Sequence, residues 1–511
     1  MNKTIAAIVL VIGIVGLFLF KSFSDNRSEA QTVATSDAQS INKTVRIGVD
    51  SWVGYYLLCS KNFKANLRNE GIRSVCDDNP DLEERFNQLK KGEIDFAVSS
   101  VDAYLALGKK FQYPGTIIAV IDESKGGDAL LAWDETVSSI DDLKNNPALR
   151  VALATDSPSE QLVRSLAVHF DVSTFMHRGN WLVATDSAEE AAEKLKKHEV
   201  DAAVVWEPFV TKSLGIKGIK KILGTEDTEH LIVDVLIVNR DFADKNPDVV
   251  MTVLEKYFDA LKFYKNSPDS LVRELKKSTN LSTTDVQAML KGVKWIDLYS
   301  NAYEWFSSVN AISGNEYLIS VIENDLDILS ATGVLKKNPL PDENPYLITQ
   351  SSFTNELFKS KIGHAQKAQL NSNNTIKFNK LTNKQWAELH EVGTLKVRKI
   401  QFSRSSSALT LEAKRMLDEA AKDLAHYPNF RILVKGHTGI SGDPGPNKIL
   451  SQYRSDAVIR YLSITHGIDE NRMKAMGMGS EEPLSRKPNE SNRSYKYRLP
   501  RVELMLKSGT L

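Results

Sequence analysis

The chain has 511 residues, of which 42% are hydrophobic, and this predicts about three to four domain-sized units with cores of their own. Lys plus Arg and Asp plus Glu both number 65, and this balance argues against a nucleic-acid partner or a broad electrostatic attraction to acidic lipid. The cysteines, Cys59 and Cys76, are too few for a four-cysteine metal site. They permit one disulfide in an oxidising compartment, or two buried thiols that merely pack.

An uncharged apolar run from Ile5 to Phe20 lies near the start of the chain, between Lys3 and Lys21. At about 1.5 Å of rise per residue, the run is slightly short of a full bilayer crossing, and the Lys21 side chain can extend to its outer edge. A signal peptide has a similar pattern, but its cleavage site should follow closely as small residues, and here charged residues come first. We therefore predict an uncleaved transmembrane anchor over residues 4–22. A cleaved signal, which would release a soluble protein, is the alternative.

Composition then changes twice along the chain. Residues 23–43 are rich in Ser, Asp, Gln and Thr and hold almost no large apolar side chain, which predicts a flexible stalk. From Val45 to about Leu335, short β-branched runs alternate with helical patterns. Such alternation is typical of parallel sheets covered by helices on both faces, so we predict an α/β fold for residues 44–340.

An internal repeat organises this middle region. Residues Leu89 to Val98 read LKKGEIDFAV, and residues Leu195 to Val204 read LKKHEVDAAV. Each copy follows an amphipathic helical pattern and leads into a buried strand. Two lobes built alike, with a cleft between them, explain the pair more simply than one continuous sheet. A chance match of a common helix-turn-strand sequence is the alternative.

Several short motifs in this region occur in a definite order. They are Val45-Arg46-Ile47-Gly48-Val49 followed by Trp52 and Gly54, Ser99-Ser100 before Asp102, Ser139-Ile140-Asp141-Asp142-Leu143, and Asp201 to Val205 leading into Trp206-Glu207-Pro208. Together they resemble the type II periplasmic solute-binding proteins, in the subgroup that handles nitrate, sulfonates, bicarbonate and thiamine precursors. The resemblance implies a two-lobed periplasmic-binding-protein fold for residues 44–340, with a small-molecule solute held between the lobes.

Ligand-binding residues are expected where strands end and helices begin, because unpaired backbone N–H groups there point into the cleft. The candidates are Trp52, Gly54, Tyr55, Ser99, Ser100 and Asp102 in the first lobe, Ser157, Ser159, Trp206 and Glu207 in the second, and Asp234 near a crossover. Each also has a structural interpretation: the serines and Asp102 as helix caps, the tryptophans as filling between lobes, and Glu207 as a surface acid. Acidic residues outnumber basic ones near these segments, so a zwitterionic or amine-bearing solute is as good a candidate as a sulfonate or phosphate.

The sequence does not predict an enzyme. The solute-binding resemblance includes pyrimidine synthases of thiamine biosynthesis, but those depend on a cysteine cluster and a sacrificial histidine. No Gly-x-Ser-x-Gly elbow, His-Glu-x-x-His helix or Gly-x-x-x-x-Gly-Lys phosphate loop occurs in the sequence. His169, His177 and His198 are isolated from one another along the chain. We therefore expect no catalytic residues, no cofactor and no metal ligands.

The C-terminal part contains a second set of motifs. Prolines at 339, 341 and 345 and an Asn-rich stretch predict a linker region over residues 341–394. A strand at Ile432–Val434, then Gly436-His437-Thr438, a helix opened by Asn447, and a closing run at Arg501–Leu504 follow it. This order resembles the OmpA-like domain, which holds bacterial envelope proteins to peptidoglycan. It implies a smaller α+β domain over residues 395–511. Two apolar helical stripes are expected in its core: Ala413, Met416, Leu417, Ala420 and Leu424, and Ile449, Tyr453, Ala457 and Tyr461.

The resemblance also implies peptidoglycan-binding residues. In the family, an acid after Gly-His-Thr accepts the ammonium of diaminopimelate, and an arginine fifteen positions later pairs with its carboxylate. Here Thr438, Asn447 and Arg454 match the pattern, but the acidic position is Gly439. Asp443 is the candidate to replace the missing acid, or it only shapes a turn.

We therefore predict a single-pass inner-membrane protein with the bulk of its chain in the periplasm. Its lobes would close on a small polar solute, for delivery to an ABC permease, and its C-terminal domain would contact peptidoglycan. The alternative is a tethered envelope sensor or scaffold that links membrane and wall without transport. A flagellar stator shares the plan of one membrane helix and an OmpA-like domain. Its membrane helix carries an aspartate, whereas no ionisable residue lies between Lys3 and Lys21 here.

Overall fold

The computed structural model describes residues 41–509 except 145, 147, 156, 308–315, 362–377, 397–399, 401 and 403–405. The predicted anchor and most of the predicted stalk lie outside these described residues. Within the part that is described, no helix combines the length and the apolar character needed to cross a membrane.

The first lobe begins with alternating strands and helices. Asp81 caps the second helix by accepting from Glu84 N, and Gly92 ends it with a φ of +70°. In chain order the elements are β1 (Lys43–Val49), α1 (Lys61–Asn69), β2 (Ile72–Asp78), α2 (Leu82–Lys91), β3 (Phe96–Ser100), α3 (Val101–Gly108) and β4 (Gly115–Ser124).

The chain then crosses into the second lobe, which is completed before the chain returns. Its sheet has five strands in the order β7-β6-β8-β5-β9. The elements are β5 (Asp128–Trp133), α4 (Ile140–Leu143), β6 (Val151–Ala154), α5 (Pro158–His169), β7 (Leu182–Thr185), α6 (Ala188–Lys196), β8 (Ala202–Trp206), α7 (Phe209–Leu214) and β9 (Ile219–Gly224).

The returning chain completes the first lobe, whose six-stranded sheet has the order β11-β4-β10-β3-β1-β2. The added elements are β10 (Val233–Asn239), α8 (Arg240–Lys245), α9 (Pro247–Asn266), α10 (Pro268–Thr279), α11 (Thr283–Lys291), β11 (Val293–Trp295), α12 (Leu298–Ser300), α13 (Tyr317–Ala331) and α14 (Ser352–Lys361). Cys59 and Cys76 form a disulfide in this lobe, with their Cα atoms 6.0 Å apart.

The internal repeat has a structural explanation. Its two copies end in β3 and β8, which occupy equivalent places in the two sheets. The repeated aspartates do the same work: Asp95 accepts from the Arg46 N–H at 2.8 Å, and Asp201 accepts from the Arg150 N–H at 2.7 Å. The predicted two-lobed α/β fold is confirmed, with one correction. The sheets are mixed, because β10 and β5, the strands nearest the crossovers, run antiparallel to β3 and β8.

The final domain is α+β, as predicted, and has the sheet order β12-β15-β13-β14. Its elements are α15 (Asn383–Glu388), β12 (His390–Thr394), α16 (Leu411–Ala425), β13 (Arg431–His437), α17 (Pro444–His466), β14 (Met473–Gly479), α18 (Asn492–Arg498) and β15 (Arg501–Ser508).

The predicted linker over residues 341–394 differs from the structure at both ends. Helix α14 belongs to the first lobe, where Thr354 Oγ1 donates to the carbonyl of Ile118 at 2.7 Å. Strand β12 belongs to the final sheet, where it pairs with β15. The prolines therefore mark short 3₁₀ turns on the lobe rather than the start of a free linker.

One of the two predicted apolar stripes of the final domain is wrong. Ile449 and Tyr453 are 57% and 59% exposed, and α17 instead buries Ser451, Arg454, Ser455, Val458 and Leu462. Close packing explains this, because a Cβ built on Gly436 of β13 would lie 2.3 Å from the carbonyl oxygen of Ser451. Beside Gly436 only small side chains, such as those of Ser451 and Ser455, fit between the helix and the sheet, whereas Val458 and Leu462 are buried further along the helix.

The final domain packs directly on the second lobe. Thr394 N donates to the Asp141 carboxylate at 3.1 Å, and His169 Nδ1 shares a hydrogen bond of 2.8 Å with the Tyr427 hydroxyl. Apolar side chains of the second lobe and of the final domain form one continuous cluster. The final domain is thus attached to the second lobe by a buried apolar contact as well as by these hydrogen bonds.

Candidate functional site

Polar residues line the edge of the first sheet that faces the second lobe. Asp234, at the start of β10, pairs with Ser100 on one side and with Asp122 on the other. Strand β1 ends beside them, one residue before Asp50. The carboxyl ends of the parallel strands thus carry a row of acids and hydroxyls, which is where ligands bind in open α/β sheets.

Asp122 and Asp234 form a buried carboxyl pair. The Trp52 indole N–H donates to Asp122 Oδ1 at 3.1 Å, and the Tyr55 hydroxyl donates to Asp234 Oδ1 at 2.5 Å. Burial raises the pKa of both acids. The charge of Asp122 raises the pKa of Asp234 further, whereas hydrogen bonds with Trp52 and Asp234 partly lower the pKa of Asp122. Gly54 is required here, because a Cβ on it would lie 2.2 Å from Asp122 Oδ2. The structure therefore places four candidates, Trp52, Gly54, Tyr55 and Asp234, around Asp122, one of the acids near the predicted cleft segments.

Arg85 is a cationic side chain close to this row, and its guanidinium group already has hydrogen-bond partners. Its Nη2 pairs with Asp50 Oδ2 at 2.9 Å, and its Nη1 donates to the carbonyl of Val98 at 2.9 Å. The guanidinium is fully buried beneath the strands. Arg85 therefore balances Asp50 and leaves Asp122 and Asp234 without a cationic partner of their own.

The remaining candidates of the first lobe lie at the start of α3. Ser99 Oγ donates to the carbonyl of Ser100, so this hydroxyl is used locally. Burial raises the pKa of Asp102, and a hydrogen bond with Ser100 partly opposes the rise. Asp325 on α13 lies close enough that the charge of Asp102 adds to the effect of burial in raising its pKa. Asp102 and Asp325 thus form a second group of buried carboxyls.

Helix α5 brings the second lobe against this group. Gln161 Nε2 donates to Asp325 Oδ1 at 2.8 Å, which joins the two lobes directly. Ser159, two residues before Gln161, is fully buried, whereas Ser157 Oγ donates to the carbonyl of Ala154 at 2.7 Å. Ser157 therefore mainly shapes the turn before the helix.

Trp206 and Glu207, the other candidates of the second lobe, serve local structure. Trp206 packs against the apolar cluster of its own lobe. Glu207 accepts from Thr211 N at 3.1 Å and from Thr211 Oγ1 at 2.7 Å, which fixes the first turn of α7. The interpretation of Glu207 as a structural acid fits these contacts better than a role as a solute ligand.

A cavity of about 400 Å³ lies beside helix α5 and the C-terminal end of helix α13. Its apolar wall includes Val163, Phe175 and Trp181, and Thr332 to Val334 line it from the first lobe. The cavity is large enough for a small organic solute.

The charged side chains of this cavity are already paired. Glu160 accepts two bonds of 2.7 Å from Arg178 and pairs with Arg164 at 3.0 Å. Because two guanidinium groups share one buried carboxylate, these three side chains leave the cavity wall with a net positive charge.

The two crossovers between the lobes are tied by hydroxyls. Ser124 Oγ donates to Asp128 Oδ2 at 2.7 Å and lies 2.9 Å from Thr225 Oγ1 on the other crossover. Burial raises the pKa of Asp128 to about 6, against the lowering effect of the Ser124 hydrogen bond. Gly127 is closely surrounded, because a Cβ on it would lie 2.7 Å from Trp52 Cη2. The hinge and the candidate site are therefore in direct contact.

Within the described ranges, the side chains of Glu123, Glu229 and His230 have their ligand atoms within 4.8 Å of one another, close enough for a metal ion. Lys125 already pairs with Glu229 at 2.7 Å, and Lys294 pairs with Glu123 at 3.2 Å. The two ammonium groups balance the two carboxylates, so the group has little net charge to attract a divalent cation. We interpret it as an ion-pair network that fixes the second crossover to the sheet.

The peptidoglycan candidates surround the loop before α17. Arg454 lies over the Phe402 ring, 4.9 Å from its centroid, and its Nε donates to the carbonyl of Ser406 at 3.1 Å. Burial lowers the pKa of Arg454. Thr438 N donates to the carbonyl of Gly479 at 2.8 Å, and Asn447 Nδ2 donates to the carbonyl of Ser441 at 3.1 Å. These contacts fix the loop on which the predicted wall ligands lie.

Asp443 and Gly439, the two positions considered for the acid, differ in their surroundings. Asp443 caps α17, because its Oδ1 accepts from Gly445 N at 2.9 Å. A Cβ built on Gly439 meets nothing within 4 Å. The interpretation of Asp443 as a turn-shaping residue is therefore favoured, and the site of the missing acid has room for a side chain.

Residues 401–496 match the model of the OmpA family. The predicted OmpA-like domain is confirmed. A peptidoglycan-associated lipoprotein of Rhizobium meliloti (strain 1021) is 33% identical over 87 residues, which are 17% of this chain and 49% of that protein. A probable lipoprotein of Escherichia coli (strain K12), YiaD, is 33% identical over 107 residues, which are 21% and 47% of the two chains. The chain thus spans about half the length of the curated relatives it matches.

The two-lobed part resembles solved structures in fold alone. The periplasmic aliphatic sulphonate binding protein of Escherichia coli matches with a TM-score of 0.46 and 16% identity, over 58% of this chain and 94% of that one. A desulfurization enzyme matches with a TM-score of 0.44 and 12% identity, over 62% and 99% of the chains.

Sequence reasoning missed Asp325 and Gln161, which form the contact between the lobes. Neither belongs to a motif, because Asp325 lies inside the pattern of a buried helix and Gln161 inside the first turns of another. Asp122 had a weak signal, since it is an acid at the end of a predicted strand beside a crossover.

Proposed function

We propose that this chain is a solute-binding protein of the cell envelope whose lobes close on a small polar molecule. The observation that carries the proposal is the lobe boundary, where buried polar side chains from both lobes meet and Gln161 bonds to Asp325 across it. Proteins rarely bury polar groups at a boundary between two separate cores without using them. A solute that takes part in this network would stabilise the lobes in contact.

Closure requires a hinge, and the two crossovers supply one. The segments after Ser124 and after Gly224 are short and connect otherwise separate sheets. Gly126 has a φ of +99°, a conformation that glycine adopts without strain. Solute binding would shift the population between open and closed forms in proportion to its preference for the closed one. We assign no catalytic step, because the residues at the boundary are suited to binding.

A ligand screen on the full chain in detergent tests this proposal. Sulfonates, phosphate, amino acids and thiamine precursors form the panel, and a solute at 100 times its dissociation constant should stabilise the fold by about 2.7 kcal/mol. Spin labels on Lys90→Cys and Lys217→Cys, both exposed and on different lobes, would report closure as a shorter distance. If no solute changes either the melting curve or the distance, the binding function is wrong.

We further propose that the protein is anchored in the inner membrane by residues 4–22, with the described residues in the periplasm. The apolar run supports the anchor, and the Cys59–Cys76 disulfide supports an oxidising compartment. Delivery to an ABC permease is the proposed use of the bound solute. Protease treatment of spheroplasts should degrade the C-terminal domain, and cross-linking of solute-loaded protein should capture a permease. Protection of the domain in spheroplasts would contradict the anchor topology.

The C-terminal domain is proposed to contact peptidoglycan. The match to the OmpA family over residues 401–496 supports this, as do the positions of Thr438, Asn447 and Arg454. Co-sedimentation of the full chain with purified sacculi, compared with an Arg454→Ala variant, measures the contact. Equal sedimentation of the two proteins would contradict a role for this site.

A second candidate function, an envelope sensor or scaffold, has one specific observation in its favour. The C-terminal domain contacts the crossover itself: Glu229 N donates to the carbonyl of His426 at 2.9 Å, and Asn429 Nδ2 donates to the carbonyl of Glu226 at 3.0 Å. A movement of the crossover would therefore act on the wall-facing domain. The sensor proposal predicts that a wall fragment changes the distance between the two labelled lobes without any solute.

A further inference from the structure

The first lobe presents an excess of acid to the lobe boundary. The carboxyl groups of this face belong to Asp50, Asp102, Asp122, Asp234 and Asp325. Arg85 balances Asp50 at 2.9 Å. From the second lobe, Arg164 lies close enough to affect Asp102 and Asp325, but it is paired with Glu160 at 3.0 Å. Arg85 and Arg164 thus each have a carboxylate partner, and the five carboxyl groups of this face outnumber these two guanidinium groups.

A second and independent observation comes from buried polar atoms that lack a hydrogen-bond partner. Among the described residues of this face, such atoms include two acceptors, Asp122 Oδ2 and Gln161 Oε1, and one donor, Arg85 Nε, all on fully buried side chains. Gln161 donates its Nε2 to Asp325, so the same amide group leaves its oxygen without a donor. An orphaned buried acceptor is costly. A ligand that brings N–H donors would satisfy both oxygens.

We propose that the solute is an organic cation that carries a primary ammonium group, which binds among the carboxyls of the first lobe. This inference rests on the proposed solute-binding function and names its ligand class. An ammonium group supplies several N–H donors and a positive charge, which match the orphaned acceptors and the excess acid. The apolar wall of the neighbouring cavity, at Val163, Phe175 and Trp181, suits the hydrocarbon part of such a molecule.

The same geometry argues against an anion. A sulfonate or phosphate needs several donors, yet Arg85 and Arg164 already pair with Asp50 and Glu160, and in the described part of this face Arg85 Nε is a single unpartnered donor beside two unpartnered acceptors. An anion beside Asp122 and Asp234 would require both buried carboxyls to stay protonated, whereas an ammonium group would stabilise their ionised form. The expected ligand class therefore differs from that of the sulfonate-binding protein whose fold is similar.

Calorimetry with the full chain in detergent tests the inference. The probes are 1,4-diaminobutane, n-butylamine and sodium ethanesulfonate, at one ionic strength. We expect the amines to bind and ethanesulfonate not to bind. Asp234→Asn, which keeps the shape of the side chain, should weaken the binding of 1,4-diaminobutane by about 10- to 100-fold, because it removes a charge-assisted hydrogen bond. Asp325→Asn is the second variant, and Asp244→Asn, at an exposed position outside the boundary, should bind like the parent chain.

Failure of the inference and failure of the function are distinguishable. Binding of ethanesulfonate without binding of either amine would overturn the ligand class while solute binding stands. Amine binding that is unchanged in both Asp234→Asn and Asp325→Asn, with a normal melting curve, would overturn the assignment of the site. If neither the probes nor the wider panel binds, the ligand class and the solute-binding function both fail.

Discussion

Replacement of Gly439 by Asp should strengthen binding to peptidoglycan. The site has room for the new side chain, because a Cβ at this position meets nothing within 4 Å and its φ lies outside the left-handed region. The resemblance to the OmpA-like family implies an acid at this position that accepts the diaminopimelate ammonium, and Arg454 is the proposed partner of the carboxylate. One added charge-assisted hydrogen bond contributes about 1.5 to 3 kcal/mol, which corresponds to about a 10- to 100-fold gain in affinity.

Titration of the full chain with a diaminopimelate-containing muropeptide measures this gain. Gly439→Asn is the matched control, since it adds the same shape without the charge and should gain little. Gly439→Asp combined with Arg454→Ala should lose most of the benefit, because a zwitterion needs both partners. An equal affinity for the Asp and Asn variants would refute the reasoning that a missing acid limits wall binding. The melting temperature should change little in either single variant, because the position is open.

Further predictions concern the hinge and the first lobe. Between about pH 4 and pH 6 the folded protein keeps a proton on Asp128 that the unfolded chain has released, so the free energy of unfolding should fall as pH rises through this window, by about 3 kcal/mol. Asp128→Asn should remove that part of the pH dependence. In denaturant melts at pH 4.5 and pH 8, the free energy of unfolding of the parent chain should therefore fall more between the two pH values than that of the variant. Ser replacement of both Cys59 and Cys76 should lower the free energy of unfolding by about 3 kcal/mol, since the disulfide closes a loop with a sequence separation of 17. A loss below 1 kcal/mol in chemical denaturation would contradict the loop-entropy account. Gly127→Ala should displace Trp52, because its Cβ would come within 2.7 Å of the indole. The free energy of unfolding should fall by about 1 to 3 kcal/mol, and the affinity for the solute should fall as well. An unchanged tryptophan fluorescence spectrum and an unchanged melting curve would show that the hinge tolerates the methyl group.

Periodic and repeated features of the fold were accessible from the sequence. The two copies of the helix-turn-strand repeat predicted two similar lobes, and the equivalent roles of Asp95 and Asp201 explain why the copies share an aspartate. In the final domain, the stripe from Ala413 to Leu424 is largely buried as predicted. Such features depend on contacts between residues near in sequence or on one strand pair, which local patterns record well.

Long-range features of the site were not accessible in the same way. The contact between Gln161 and Asp325 joins residues 164 positions apart, and no local pattern marks either residue. Ile449 and Tyr453 show the converse failure, because their spacing matches a core stripe. Gly436 and Gly477 on the facing strands let α17 approach so closely that the small side chains of Ser451 and Ser455 face the sheet there instead. Pairing across space, rather than propensity, decides both cases.

The position of the final domain would couple the proposed solute binding to the proposed contact with peptidoglycan. The chain enters the first lobe at β1, whereas the OmpA-like domain packs on the second lobe and bonds to the crossover at Glu229. If the lobes close as proposed, the OmpA-like domain should move with the second lobe relative to the start of β1, which follows the proposed membrane anchor and stalk. A complete shift of such an equilibrium, from 1:99 to 99:1, needs about 5.5 kcal/mol of differential binding energy. Because coupling of this kind is reciprocal, peptidoglycan binding that resists the movement would weaken solute affinity by the same factor. Under these proposals, transport and sensing would use the same hinge, and peptidoglycan binding would change the affinity for the solute.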